Sequence, residues 1–558
     1  MEAYETTFFK SHSRTPYSQF TTVGVKHVKF WSLIGNTLKS KRGIFGEKGH
    51  LQTVLCCAPG TQENEVITGT MDGGVYVWSG NELITTVNAN QGPIYSIRRT
   101  EEGEYVLCGK FGHVSVWDGS NWEEAKLRLD LGEMNPALEG AYLRSVDSRE
   151  GHLLVGSAQS EIVTLTPTGD GYELNWVTRG HQEGELWGLA VHPLKALAAT
   201  ASDDKTLRIW NLEEKRLESI TYLEFSARSV ALSIDGERVA VGMKSGQVQI
   251  FNVEDFELVK NIEDRKQARH CAKYSPDGST LAVGSNDNRV DFYETSDYGS
   301  IGVGAKNSSF ITQLDWSRCS GYIAAVDGAG ERLVYTKDGR HVTARDELDS
   351  LEWDTITGVV GAQVEGVFPK YSQLNDVNNL AADPRRKLIA TGDDFGLVKL
   401  FRFPCIKRGS KSRKYNGHSA HVTNVNWTHD GKTLLSTGGA DHAVFQWRLI
   451  EQAEDGDFQS DDEDNEDEID KALDSDSEAS DSSDDDREVD SDLETEKDEN
   501  YSREVYTDDL VRLKAEKEKE QGVTARRGKA PEKHLELQWV AGYRGHDCRD
   551  NVHYTHQG

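Results

Sequence analysis

The chain has 558 residues, more than one hydrophobic core usually serves, so several domains are expected. Its seven cysteines are an odd number without C-x-x-C spacing, which argues against a disulfide framework and favours reduced thiols. No signal peptide and no apolar stretch of bilayer-spanning length is visible, so the sequence predicts an intracellular protein that does not bind membranes.

The net charge of −30 is concentrated in one stretch of the chain. Residues 451–500 hold 26 acidic residues against three basic ones, and the rest of the chain is nearly balanced. An Asp/Glu/Ser composition with few core-forming side chains predicts disorder for this acidic tract. Because a strongly acidic field opposes binding to nucleic acid, no nucleic acid partner is expected.

Ten short segments share one pattern, in which β-branched or apolar residues end in an aromatic residue that only the fourth segment lacks. They are residues 28–31, 75–78, 114–117, 162–165, 207–210, 248–251, 290–293, 333–335, 398–401 and 444–447. Most of them lie 39 to 48 residues apart, which is the length of one four-stranded propeller blade. Since propellers usually close with about 4–8 blades, ten segments predict two rings or pieces of two.

Two of these repeats keep more of the WD-repeat pattern, with a Gly-His pair, an Asp and a Trp at equal offsets. The predicted sets are His181, Thr200, Asp204 and Trp210, and His418, Thr437, Asp441 and Trp447. The offsets indicate a buried His–hydroxyl–Asp–Trp hydrogen-bond network that holds a blade together, rather than a catalytic triad.

The interval between residues 335 and 401 is longer than the others. Two extra strand-like pieces, 349–353 and 361–369, indicate either an atypical blade or an excursion between blades. After Trp447 the repeat pattern stops.

The acidic tract contains four serines with an acidic residue three positions on, which is the arrangement that acidophilic kinases favour. These possible phosphorylation sites are Ser460, Ser475, Ser482 and Ser483, and the match is a weak signal in so acidic a tract. Residues 508–520 are expected to form a short charged helix, followed by a basic linker over 522–534. Since the helix lacks sustained heptads, no coiled-coil oligomerisation is expected.

The last segment, residues 535–558, reads LELQWVAGYRGHDCRDNVHYTHQG and resembles the HELP motif that opens each unit of the echinoderm microtubule-associated protein-like family. Residues 185–193 resemble the opening of that family's second propeller. Further matches lie at 361–369, 393–396, 421–425 and 436–439. The resemblance covers residues 20–450 and 535–558, and it implies two WD-repeat propellers side by side that bind tubulin or microtubules.

The expected fold is all-β, with tandem WD-repeat β-propellers, the first one incomplete, followed by a disordered acidic tail. The expected divisions are 1–178, the C-terminal part of a first propeller with about four blades; 179–450, a second propeller; 451–500, the acidic tract; 501–534, a charged helix and basic linker; and 535–558, the HELP-like start of a next unit. These divisions predict an internal piece of a multi-unit protein or a truncated gene product.

The resemblance predicts a non-catalytic protein of the cytoplasm and cytoskeleton that binds tubulin or microtubules. Because tubulin presents an acidic surface, the expected contacts are basic loops. The candidates are Lys407, Arg408, Lys411, Arg413 and Lys414, and in second place Lys39, Lys41 and Arg42. The acidic tract is hypothesised to fold back on these loops and to weaken binding, since opposite charges attract over about 8 Å at physiological salt.

The alternative is a generic propeller scaffold for protein complexes, such as a ciliary or ubiquitin-ligase adaptor, without affinity for tubulin. Either protein would bind other proteins through its propeller faces. Walker loops, H-E-x-x-H, dinucleotide fingerprints and the G-x-S-x-G elbow are all missing from the sequence. No enzymatic activity, cofactor or metal site is therefore expected.

Overall fold

The computed structural model describes the backbone of residues 3–9 and all atoms of 19–35, 37–62, 64–169, 171–369, 377–450, 530–546 and 548–554. Within these residues, ten four-stranded antiparallel sheets follow one another along the chain. Each of the ten predicted segments is the third strand of one sheet. The predicted all-β, tandem-propeller fold is confirmed, and 162–165 forms a blade strand without its aromatic residue.

The first four sheets, named blades 1 to 4, lie side by side in chain order. Their strands are β1 Ala3–Phe9, β2 Gln19–Gly24, β3 His27–Ile34 and β4 Thr37–Arg42; β5 Val54–Pro59, β6 Glu65–Thr70, β7 Gly74–Ser79 and β8 Glu82–Asn88; β9 Ile94–Arg99, β10 Glu104–Gly109, β11 His113–Asp118 and β12 Asn121–Asp130; β13 Leu143–Arg149, β14 His152–Ser157, β15 Glu161–Thr168 and β16 Gly171–Arg179. A short helix α1, Leu131–Met134, and 3-10 turns at Lys110–Gly112 and Pro136–Leu138 lie between blade strands.

The next six sheets, blades 5 to 10, form a second ring. Their strands are β17 Leu186–Val191, β18 Leu197–Ser202, β19 Thr206–Asn211 and β20 Arg216–Tyr222; β21 Ala227–Leu232, β22 Arg238–Met243, β23 Val248–Asn252 and β24 Leu258–Ile262; β25 Arg269–Tyr274, β26 Thr280–Ser285, β27 Val290–Glu294 and β28 Ser300–Gly304; β29 Ile311–Trp316, β30 Tyr322–Asp327, β31 Arg332–Thr336 and β32 His341–Val342; β33 Val377–Ala382, β34 Leu388–Asp393, β35 Val398–Arg402 and β36 Arg413–Tyr415; β37 Val422–Trp427, β38 Thr433–Gly438, β39 Val444–Ile450 and β40 His534–Ala541.

The blades stack face to face, so their middle strands are buried on both sides. In β22, for example, Val239, Ala240 and Val241 are all fully buried. Such strands appear as continuous apolar runs in the sequence rather than as an alternating pattern. Because a blade cannot bury both faces alone, its stability depends on its neighbours.

The second ring is closed by contacts between blade 5 and blade 10. The backbone N–H of Leu186 donates to the carbonyl of Gly439 at 3.1 Å, and the Thr423 hydroxyl donates to the Leu186 carbonyl at 2.6 Å. The Gln446 side chain donates to the Leu212 carbonyl at 3.1 Å. Six blades therefore complete this ring.

In its described residues, the long interval after blade 8 is an excursion between blades and not an additional sheet. It contains helix α2, Arg345–Asp349, and a 3-10 turn at Glu365–Val367. The excursion is fixed to both neighbours, because the N–H of Asp354 donates to the Trp316 carbonyl in blade 8 and the N–H of Ala382 in blade 9 donates to the Ile356 carbonyl. The sequence left open an atypical blade or an excursion between blades, and the structure shows the excursion.

Strand β40 comes from far along the chain, yet it is the outer strand of blade 10. It pairs antiparallel with β39 over the whole strand, from Val444 opposite Ala541 to Ile450 opposite His534. Leu535 and Ala541 are buried, and the Trp539 ring packs edge-on against Trp210 of blade 5 at 5.7 Å. Blade 10 is therefore completed across the connection 451–533.

Beyond β40 the chain crosses to the first ring, and we name the described residues of 534–554 the clasp. The N–H of Gly542 donates to the Thr178 hydroxyl at 3.0 Å, and the Tyr543 hydroxyl donates to the Ser157 carbonyl at 2.5 Å. Further on, Val552 is buried against blade 4. Because Asp550 also accepts a hydrogen bond from Ser96 of blade 3, the clasp joins the second ring to blades 3 and 4.

These contacts bear on two of the expected divisions. The described part of 535–558, which the sequence predicts to start a next unit, pairs with the outer edge of β39 and is the fourth strand of blade 10. The second propeller accordingly draws its last strand from residues after 533. The acidic tract, its four serines and the predicted helix 508–520 lie outside the described residues.

Candidate functional site

In blade 5, the predicted network joins four buried side chains. His181 Nδ1 lies 2.9 Å from Asp204 Oδ2, and Nε2 lies 2.8 Å from the Thr200 hydroxyl. That hydroxyl also accepts the Trp210 indole N–H at 2.7 Å. A neutral imidazole with its proton on Nδ1 satisfies every group, since Thr200 then donates to Nε2. The arrangement cross-links the strands of the blade.

In blade 10, the same network uses a different hydroxyl from the one predicted. His418 lies 2.9 Å from Asp441 and 2.8 Å from the hydroxyl of Ser436, and the Trp447 indole donates to Ser436 at 2.8 Å. Thr437 was the wrong choice: its hydroxyl lies 2.9 Å from that of Thr423. Adjacent strand residues point to opposite faces, so only one of the two can reach the histidine.

Blade 7 has an ionic network in the corresponding interior position, which sequence reasoning did not find. Arg269 is fully buried; its guanidinium donates to Asp291 at 2.5 Å and to Asp264 at 2.6 Å. Arg265 donates to Asp291 at 2.7 Å, and the Tyr293 hydroxyl donates to Asp264 at 2.6 Å. The only sequence signal is an Asp two residues before the aromatic residue that ends the strand.

Burial lowers the pKa of several histidines, because the charged imidazolium loses its hydration. The pKa values of His181, His192, His270 and His442 all lie below the ordinary value for this reason. At His442, the nearby His546 ring, 5.1 Å away, lowers the pKa further. By contrast, the hydrogen bond from His181 and the charge of Arg208 hold the pKa of Asp204 far below its usual range despite its burial.

We expect stability to fall as the pH drops from 7.5 to 5.5. The unfolded histidines bind protons near pH 6.5, whereas the buried ones resist protonation, so the unfolded state binds more protons in this range. The contribution of these histidines to the free energy of unfolding is therefore fully present above the pKa of an unfolded histidine. It is lost as the pH falls through that pKa. Thermal unfolding at several pH values measures the trend. His442→Gln, which keeps a donor for the Gly184 carbonyl, should flatten it; a melting temperature that rises on acidification would contradict the expectation.

The first group of predicted basic contacts lies at one end of blade 9. Lys407, Lys411 and Lys414 are exposed, the last of them on strand β36. The two arginines are engaged within the chain: Arg408 donates to Glu365 at 2.5 Å and Arg413 donates to the Pro531 carbonyl at 2.7 Å. Because the three lysines are exposed, a partner can reach them.

The turn between β33 and β34 adds basic residues at the same end of the blade. In a four-stranded antiparallel blade, the turn between the first two strands and the turn between the last two lie at the same end of the blade. Arg385 and Lys387 are exposed on this turn, and Arg385 donates to the Gly431 carbonyl of blade 10 beside exposed Lys432. We name Arg385, Lys387, Lys407, Lys411, Lys414 and Lys432 the basic surface of blade 9. The cluster DPRRK at residues 383–387 was the signal that sequence reasoning missed.

The second group of predicted contacts lies elsewhere and is not a loop. Lys39, Lys41 and Arg42 belong to β4, the outer strand of blade 1, where every residue is exposed. Charged residues on an edge strand discourage pairing with other strands. The expectation of a basic loop at this position is corrected to a basic strand in the other ring.

The innermost strands of the second ring line a channel of about 280 Å³. Lys273 in its wall donates to Asp315 at 3.3 Å, to Thr355 at 3.1 Å and to Thr357 at 2.9 Å. The last two belong to the excursion, so this lysine anchors the excursion to blades 7 and 8. In the parts of the chain that the structure describes, no cluster of His, Cys, Asp and Glu has metal-binding geometry, and no helix has the length and apolarity to cross a membrane.

Comparison with known proteins matches the second ring, the clasp and one repeat of the first ring. The family model described as "Echinoderm microtubule-associated protein second beta-propeller" matches residues 186–449, and the HELP motif matches 530–558. A WD domain, G-beta repeat, matches 42–79. The echinoderm microtubule-associated protein-like 2 of Mus musculus is 34% identical over 446 residues, which cover 78% of this chain and 67% of that protein.

The chain belongs to the echinoderm microtubule-associated protein-like family. Protein 4 of this family from Homo sapiens is 33% identical over 455 residues, and protein 1 from Rattus norvegicus is 33% identical over 457. These alignments cover 78% and 80% of the chain but only 46% and 54% of the relatives. The chain thus spans about half the length of these two relatives.

The comparison identifies the clasp as part of the HELP motif. The HELP match, 530–558, coincides with β40 and the residues that cross to blades 3 and 4. The second-propeller match ends at residue 449, beside the strand that β40 pairs with. In this member of the family, the HELP motif therefore supplies a blade strand and a bridge between rings.

Proposed function

We propose that this chain is a non-catalytic protein of the cytoplasm and cytoskeleton that binds tubulin or microtubules through the basic surface of blade 9. The family supports the cytoskeletal part, since the relatives are named microtubule-associated proteins. One observation supports this binding site. Exposed basic residues from three turns lie together at one end of blades 9 and 10.

Charge complementarity is the physical basis of the proposed contact. Exposed lysines contribute modest energies individually, about 0.2–1 kcal/mol for each ion pair. Several acting together steer association and make it sensitive to salt. Because Arg408 and Arg413 already have partners, their replacement would disturb the fold as well as the surface. The lysines are exposed, which makes them the better positions for a test.

Replacing Lys407, Lys411 and Lys414 together by Glu in the full chain should weaken microtubule co-sedimentation about tenfold. This figure corresponds to the loss of three ion pairs of roughly 0.5 kcal/mol each. The difference from the unchanged protein should shrink as salt is raised, because salt screens exposed charges. Circular dichroism would verify that the variant is folded.

A matched triple variant, Lys39→Glu with Lys41→Glu and Arg42→Glu, makes the same change of charge on blade 1. It should bind like the unchanged protein if blade 9 forms the contact. Equal losses from both variants would contradict the assignment to blade 9. An unchanged protein that does not co-sediment at all would contradict tubulin binding and favour the scaffold alternative.

The acidic tract is connected to the chain next to this surface. Ile450 and His534 are paired neighbours, and Arg402 lies 3.2 Å from Glu532. The hypothesis that the tract weakens binding remains a prediction. In the same assay, deletion of 451–500 should increase co-sedimentation at low salt, and an unchanged affinity would refute the hypothesis.

A further inference from the structure

The clasp lies on a surface of blades 3, 4 and 10, which we name the acceptor. Glycines on both segments allow the clasp and the acceptor to approach closely. A Cβ on Gly156 would lie 2.5 Å from the Tyr543 hydroxyl, and a Cβ on Gly180 would lie 2.3 Å from the Cα of Gly542. Gly542 itself has φ +88°, which favours glycine. The two chain segments thus cross at a distance that side chains would not allow.

Buried hydroxyls of the first ring also find their partners on the clasp. The Ser145 hydroxyl is fully buried; it donates to the Val552 carbonyl at 3.2 Å and accepts the Val552 N–H at 3.0 Å. The Ser96 hydroxyl, also fully buried, donates to Asp550 at 2.9 Å. The N–H of Tyr554 donates to Asp147 at 2.9 Å. Without the clasp, the hydroxyls of Ser96 and Ser145 would lose the acceptors of their hydrogen bonds, at a cost in stability.

The fit between clasp and acceptor does not depend on the connection that joins them. Ile450 and His534 face each other across the β39–β40 ladder, so a two-residue hairpin turn is enough to connect them. The actual connection, 451–533, is many times longer. Since the effective concentration of a tethered segment falls with tether length, a long tether lets segments from other molecules compete.

We propose that the clasp is an exchangeable ligand, and that the acceptor on blades 3, 4 and 10 binds the HELP segment of a second copy of this chain as well as its own. The recognition combines addition of a strand to the edge of β39 with insertion of Tyr543 and Val552 into blade 4. Exchange of an identical element between copies is a known route to dimers. In such an exchange, each clasp makes on the other chain the same contacts that it makes on its own. Two chains are therefore linked without an additional interface.

The first test uses the full chain with a specific protease site inserted after Ser480, together with a labelled peptide of residues 530–558. After cleavage, the peptide should replace the clasp and bind in a saturable manner. Uptake by the intact chain should be at least about tenfold lower, because the tethered clasp competes. Circular dichroism before and after cleavage reports whether the rings stay folded.

Two peptide variants control for specificity. Val552→Asp places a charge where the side chain is buried and should abolish uptake, whereas Leu537→Ala changes a half-exposed residue and should not. Failure of the cleaved, folded chain to take up the peptide would overturn the proposal. So would equal uptake of the Val552→Asp peptide.

The second test measures the mass of the intact chain by light scattering at increasing concentration. A dimer should form, and it should disappear in a variant whose residues 451–533 are replaced by Asn-Gly, since that turn holds the clasp in its own acceptor. Dimers in both proteins, or in neither, would overturn exchange between copies. Neither test involves tubulin, so the result does not depend on the proposed function.

Discussion

Replacing Asp291 by Ala is expected to destabilise the second ring by about 3–5 kcal/mol, the cost of removing one partner from a buried ion pair. Asp291 and Arg269 are both buried, and Asp291 also accepts a hydrogen bond from Arg265. Without this carboxylate, Arg269 retains only Asp264 as a charged partner. Urea unfolding followed by tryptophan fluorescence measures the loss.

An exposed ion pair provides the matched control for Asp291. Glu352 accepts a hydrogen bond from Arg318 at 3.0 Å, and its side chain is 75% exposed. Glu352→Ala should therefore cost less than about 1 kcal/mol. The double variant Arg269→Met with Asp291→Leu should recover much of the stability, because it removes both charges of the fully buried pair and Arg265 keeps Asp287 as a partner. Equal losses for Asp291→Ala and Glu352→Ala would refute the interpretation of the network.

Gly180→Ala is expected to release the clasp from the first ring and to cost about 3 kcal/mol, at the upper end for overpacking. The new Cβ would lie 2.3 Å from the Cα of Gly542 and 3.0 Å from the Ser160 carbonyl, so a backbone has to move. Hydrogen exchange should show faster amide exchange in β40 and in 542–554. The same measurement on blade 6 should be unchanged.

Gly169→Ala is the control for this variant. No atom lies within 4 Å of the position of its Cβ, and its backbone does not have positive φ. It should leave both stability and exchange in the clasp unchanged. If Gly180→Ala behaved like Gly169→Ala, the close crossing at Gly542 would not be limiting.

The blade pattern was predictable because it is local. Each third strand shows apolar or β-branched residues before an aromatic one, and tight turns precede and follow it. These turns have an identifiable chemistry: Gly278, with φ +71°, donates its N–H to the Ser275 carbonyl, and Ser275 bonds Asp277. Such signals specify hairpins without knowledge of distant residues.

The prediction of Thr437 missed the hydroxyl of the network, Ser436, by one residue, and the reason is physical. In blade 5, Ala201 and Leu207 are the last pair before the turn, whereas in blade 10 Thr437 and Val444 are, so the second turn is one residue longer. The residue at the same distance before the aspartate as Thr200 is therefore Thr437 in blade 10, one position beyond the hydroxyl that the network uses. Counting by register from the tryptophan gives Thr200 and Ser436.

The partner of β40 was not predictable from the local pattern. Residues 534–541 have the apolar content of a strand, but their pairing depends on the unfilled edge of β39. For the same reason, the sequence did not show that Arg408 and Arg413 are engaged by Glu365 and Pro531. Composition identified the basic loop, but only the long-range contacts show what its two arginines bind.

The pairing of β39 with β40 has a consequence for synthesis on the ribosome. Blade 10 lacks its fourth strand until residues 451–541 have been translated, on the order of ten seconds at about 5–20 residues per second. During that time the edge of β39 is open to pairing with other nascent chains. The acidic residues of 451–500 emerge during this interval, and like charges on neighbouring nascent chains repel each other.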